Sequence, residues 1–168
     1  MNKHKIQHAV SCALVLGVVL VLKFLLSVTV QNGFFAFIII FLTVLAPYLV
    51  YIFQKKYRDG ELGGIISYEN ALTYGILIYF FAAVILGVVS FIYYQYINPD
   101  FLPTEFYLSL EQFRMLNMPS HIMDMMTQIG IPSPSLAAFR DVVYHSAWGL
   151  LISLVSSGFV KKTTATNE

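Results

Sequence analysis

Charge is scarce in this 168-residue sequence: Asp, Glu, Lys and Arg together make up 11% of it, against roughly a quarter in an ordinary soluble domain. The few charges nearly cancel, at a formal net +1, and no clustered basic face exists. Nucleic-acid binding needs several phosphate contacts from such a face, so that class of partner is excluded. A single cysteine, Cys12, rules out an intramolecular disulfide and a four-thiolate metal site. Lying inside an apolar run, it reads as a small buried hydrophobe. There is no HExxH, no GxSxG, no Walker A glycine loop and no Cys-x-x-Cys. The sequence therefore gives no catalytic motif, and no cofactor is expected.

What is present is hydrocarbon: 58% of the residues are hydrophobic, and they fall into long runs at about 9–30, 34–53, 68–96 and 136–160. A helix needs about twenty apolar residues to cross a bilayer core, so each run is long enough. The first run follows a basic start, as a cleaved signal peptide would. It outlasts the ~7–15-residue core of such a peptide and lacks a small-residue exit, so a retained helix is expected. Gln31-Asn32-Gly33 supplies a cheap reversal into the second run. Pro47, inside that second run, frees the carbonyl of Thr43 and predicts a bend.

The one strongly polar stretch between runs is 54–70, QKKYRDGELGGIISYEN. Lys55, Lys56 and Arg58 form a basic flank of the cytoplasmic type, the glycines predict a loop, and Ser67 predicts a helix start near Tyr68. The third run ends in Phe91, Tyr93, Tyr94 and Tyr96, rings that suit the headgroup level, and Asn98-Pro99-Asp100 forms an extracytoplasmic turn after it. From 97 to 135 no span is visible. Glu105–Asn117 has a helical period with one wet face, and Ser120 is placed to cap a second short helix, His121–Gln128, stopped by Gly130. The five methionines from Met115 to Met126 read as packing filler in preference to a soft-metal site. Ser135 is expected to cap the last run.

Small residues recur every fourth position at Ala9/Ala13/Gly17, Ala71/Gly75 and Ala83/Gly87. Asp141, His145, Gly149, Ser153 and Ser157 continue the pattern on the last run, and such stripes let helices approach closely. Basic residues near the span ends divide seven (Lys3, Lys5, Lys55, Lys56, Arg58, Lys161, Lys162) against two (Arg114, Arg140), which puts both termini in the cytoplasm.

Ionisable groups at membrane depth cost about +2.5 to +3.5 kcal/mol at the centre and mark candidate sites. Lys23, Asp141 and His145 are those groups here. One reading makes them a polar cluster that binds an ion or an anionic headgroup, or relays a proton. The other has Lys23 snorkelling, Asp141 pairing with Arg140 or capping, and His145 hydrogen-bonding inside the bundle. Asp141 and His145 have the i, i+4 spacing of two zinc ligands, but no second pair is visible. Ser146 lies about 100° around the helix from His145, the wrong geometry for a nucleophile and its base.

Ile66-Ser67-Tyr68-Glu69-Asn70-Ala71 running into Gly75, the exit Tyr96-Ile97-Asn98-Pro99-Asp100-Phe101, and Leu151-Ile152-Ser153-Leu154-Val155 before Lys161-Lys162 resemble the DUF4199 family. These are small four-span proteins typical of Bacteroidetes. The resemblance covers nearly the whole chain and implies a bacterial inner-membrane protein of unknown function, with no catalytic residues to carry over.

The expectation is an all-α membrane protein: one integral domain, a bundle of four transmembrane helices, and one or two short interfacial helices in the extracytoplasmic loop between spans three and four. The role expected is non-enzymatic, accessory or structural, through a protein partner, a second copy or lipid. The alternative is a small transporter or ion-conducting oligomer using Lys23, Asp141 and His145. Large transporters show internal repeats and broken helices, whereas here the halves do not match and Pro47 is the only break. Impermeant labelling should reach the 54–70 hairpin and the final lysines from the same face of the bilayer; reaction from opposite faces contradicts the topology.

Overall fold

The computed structural model describes residues 3–29 and 33–163, with side chains from 5 and from 35. It is all-helical: α1 (Lys3–Thr29), α2 (Gly33–Lys56), α3 (Tyr68–Ile92), α4 (Phe101–Met115), α5 (Ser120–Ile129) and α6 (Pro134–Val160). Four segments, Lys5–Thr29, Phe35–Glu61, Tyr68–Ile97 and Pro134–Val160, are long and apolar enough to cross a membrane. This is a membrane protein with two shorter helices between its third and fourth spans. Gln31 and Asn32 of the expected reversal lie outside the described residues.

Several boundaries differ from those read in the sequence, each for a local reason. Helix α2 does not stop at Phe53; it runs to Lys56 and passes into a π-helical turn, Tyr57–Glu61, because Gln54 and Tyr57 have buried positions to fill. A second π-helical turn, Tyr93–Ile97, closes α3. Ser67 caps α3 as expected, accepting from the Asn70 N–H at 3.3 Å. Ser120 does not cap α5: it is already helical, and Pro119 precedes it. Ser133, not Ser135, caps α6, accepting from the Leu136 N–H at 3.3 Å. Pro134 is the reason, since its fixed φ and missing N–H suit the first helical position and move the start two residues earlier.

The chain divides into two compact units: residues up to Gly87 with Asp141 onward, and Val88–Arg140. In the first, Ala9, Ala13, Leu16 and Leu20 of α1 pack with Ala46 and Val50 of α2 and with Ala71, Tyr74, Ile78 and Ala82 of α3. The small-residue stripes are all inside. Ala9, Ala13, Ala71 and Ala83 are fully buried, as are Ser153 and Ser157 on α6. The outward faces are apolar as well. Phe37, Ile40, Phe41, Val44 and Tyr48 make one exposed stripe along α2, which water would penalise and lipid tails accept.

In the second unit the ring of Phe101 stacks on Tyr94 at 5.7 Å between centroids and meets Tyr93 edge-on at 5.6 Å. Asn98, Pro99 and Asp100 link the π-helical turn to α4, with the Asn98 N–H donating to the Tyr93 carbonyl and the Phe101 N–H to the Asn98 carbonyl. Leu102 and Leu110 are buried, while α5 buries none of its residues.

Gly149 is where α6 touches α3: a Cβ there would collide with the side chain of Tyr79, whereas one on Gly158 would meet nothing within 4 Å. Gly149→Ala should lower thermal stability in detergent by about 1–3 kcal/mol. Gly158→Ala should leave it unchanged or raise it by up to ~1 kcal/mol. Equal effects would contradict the contact.

Candidate functional site

Lys23 and His145 line one cavity of about 290 Å³ inside the first unit. All four spans build it: Leu20 and Lys23 from α1, Thr43 and Pro47 from α2, Tyr79 from α3, His145 and Trp148 from α6. Helical rise brings Lys23 to this depth about 9 Å before Thr29, and both Lys23 and His145 are half-buried. Thr43 satisfies its own hydroxyl by donating to the Ile39 carbonyl at 2.7 Å.

His145 is held by its own helix, with Nδ1 at 2.9 Å from the main-chain carbonyl of Asp141. A carbonyl only accepts, so Nδ1 carries the proton, and Nε2 is left as the ring's basic nitrogen. Asp141 thus reaches His145 through its backbone, the ordinary i−4 relation in a helix. Of the three residues singled out in the sequence, two share the cavity, and the third orients one of them. Among the described residues no carboxylate lines the cavity. A lysine and an imidazole among aromatic and aliphatic walls form a cationic recess, and an acidic group placed there would offset the cost of burying the ammonium.

Away from this cavity the first unit holds polar networks that the sequence did not announce. Gln54 is fully buried and donates from Nε2 to the Ala71 carbonyl and to Ser157 Oγ, both at 3.0 Å. Its Oε1 and the Ser153 hydroxyl are buried without a hydrogen-bond partner. Gly75 makes room for both, since a Cβ there would lie 2.5 Å from Gln54 Nε2 and 2.6 Å from Ser153 Oγ. His8 Nδ1 and the Tyr74 hydroxyl are 2.5 Å apart, Tyr74 also donates to Cys12 Sγ at 3.5 Å, and Tyr57 stacks on Tyr74 at 4.2 Å. Among the described residues no group of three or more His, Cys, Asp and Glu is arranged to hold a metal ion.

The basic flanks are tied together. Arg58 donates to the Val160 carbonyl at 2.9 Å and pairs with Asp59 at 2.7 Å. Ile66 and Lys162 exchange two backbone hydrogen bonds of 3.0 Å. Lys5 Nζ donates to the Asn70 carbonyl at 3.3 Å. Lys55 and Lys56 stay exposed. The start of α1, the 54–70 hairpin and the end of α6 therefore share one end of the first unit.

Two further recesses are present. An apolar groove of about 490 Å³ runs between α2 and α6, sharing Pro47, Trp148 and Ile152 with the Lys23 cavity. In the second unit, a cavity of about 650 Å³ has Phe106, Met126 and Ile131 on its walls and Glu105 and Arg140 among its polar residues.

A family model described as a protein of unknown function (DUF4199) matches residues 11–162. No curated protein and no solved structure matches the chain. Because Arg58 closes the end of α6, Arg58→Ala should cost about 1 kcal/mol in thermal unfolding. It should also speed hydrogen exchange at the Lys161 and Lys162 amides; unchanged exchange there would show that the contact does not hold the helix end.

Proposed function

We propose that this chain, which belongs to the DUF4199 family, is a non-enzymatic accessory protein of the bacterial inner membrane that works by binding the acidic headgroup of a lipid between its spans. The observation that carries this is the recess lined by Lys23 and His145, to which all four spans contribute and which no carboxylate lines among the described residues. The half-buried Lys23 ammonium is the group that would bind a phosphate or carboxylate through a charge-assisted hydrogen bond, and His145 Nε2 would accept from a protonated acid or donate to the anion once the ring is itself protonated. Nothing about them supplies a nucleophile.

Both termini are cytoplasmic in this reading. The positive-inside bias of the sequence supports it, and so does the convergence of Lys5, Arg58 and Lys162 on one end of the unit. The parity of the crossings then makes 97–135 extracytoplasmic, with α4 and α5 as interfacial helices. The alternative, a small transporter or ion-conducting oligomer, draws on Lys23, Asp141 and His145 but needs a second access route and a second copy.

The test is native mass spectrometry of the detergent-purified protein with added phosphatidylglycerol or phosphatidylcholine. The wild type should retain the anionic lipid preferentially, and the Lys23→Leu/His145→Leu double variant should lose about tenfold or more of that retention, the equivalent of one charged hydrogen bond. Equal retention of both lipids, or no change in the double variant, contradicts the reading.

A further inference from the structure

We propose that the ligand of the Lys23–His145 recess is a single amphiphile whose hydrocarbon chain lies in the groove between α2 and α6. This rests on the reading above and names the rest of the molecule that the recess takes by its head. The groove adjoins the recess, because Pro47, Trp148 and Ile152 line both. Its other walls are Tyr51, Leu151, Val155 and Phe159, with two hydroxyls, the Tyr51 phenol and Ser156, the latter already directed to the Ser153 carbonyl at 3.4 Å. Such walls recognise methylene groups and nothing charged.

The groove is a trough in the outer face of the bundle. Trp148, Leu151, Val155 and Phe159 are 48%, 53%, 63% and 76% exposed, so a chain reaches it sideways from the surrounding lipid without crossing the protein. From Trp148 to Phe159 the wall extends about 16 Å along α6, enough for a long acyl chain and far more than a free anion needs. The polarity is fixed as well. His145 lies on the N-terminal side of Trp148, and Phe159 lies beside the basic end held by Arg58 and Val160. The head therefore points away from the basic flanks and the chain points toward them. The head chemistry is an acid on a chain, supplied either by a fatty acid or by an acidic phospholipid.

Trp148 is the only tryptophan in the chain and stands at the junction of recess and groove, so its fluorescence reads occupancy directly. The protein in phosphatidylcholine vesicles is titrated with dibromostearate, with dibromostearoyl phosphatidylglycerol, and with the phosphatidylcholine of the same brominated chain. At least one acidic probe should quench Trp148 at a several-fold lower mole fraction than the zwitterionic one, and which of the two does so identifies the source of the head. Lys23→Leu should abolish the difference and Lys23→Arg should keep it. Leu151→Phe and Val155→Phe, which narrow the groove without touching the head, should weaken the acidic brominated probes several-fold while leaving competition by acetate, which has no chain to place, intact. If the groove variants quench like wild type while Lys23→Leu does not, the chain placement is overturned and the headgroup reading survives. If all three probes quench alike, the headgroup reading fails and takes this inference with it.

Discussion

Hydrocarbon offers no hydrogen-bond partner, and that constraint governs this molecule from the backbone outward. The spans close their main-chain bonds as helices, and several of the hydroxyls they carry are turned back on those helices. Ser27, Thr29 and Thr43 donate to carbonyls one turn earlier in their own chain. Polar groups that cannot be satisfied locally are drawn to the inside, where Gln54 bridges α3 and α6 and His8 meets Tyr74. Lys23 and His145 are left at a recess with no carboxylate in its lining among the described residues. Function is read from that remainder.

Close approach of the helices follows from the same constraint. Without a solvophobic force between spans, van der Waals contact and buried hydrogen bonds hold them, and both require backbones to come near. Ala9, Ala13, Ala71 and Gly75 permit this, and Gly149 lets Tyr79 lie directly against α6. At the basic end, Arg58, Ile66 and Lys162 secure the helix ends by hydrogen bonds. The opposite faces stay wide and greasy. A groove in such a face is continuous with the bilayer, so the natural visitor to the Lys23 recess is a molecule that already lives there.

The span count was legible because an uninterrupted apolar run has few alternatives to a crossing helix. The ends were less so. Ser133 and Ser135 look equally suited to cap α6, and only Pro134 between them decides. The glycines of 60–64 announced a loop, but Gln54 and Tyr57, buried against α3 and α6, carry the helical path on to Glu61. Lys23 and His145 were legible from the cost of placing them in a membrane. That the Asp141 carbonyl would hold the His145 ring was not, since an i, i+4 spacing brings both carbonyl and carboxylate within reach. The network of His8, Cys12 and Tyr74 joins residues more than 60 positions apart, and no periodicity in a single chain reports such a pairing.

Positions 23 and 145 are brought to one recess by α1 and α6. The most direct measurement places spin labels at Lys23→Cys and His145→Cys in a Cys12→Ser background, in phosphatidylcholine vesicles. The doubly labelled protein should show dipolar broadening, and a water-soluble nickel complex should relax either label little. Narrow spectra that equal the sum of the single variants, or ready relaxation by nickel at both positions, would contradict this placement.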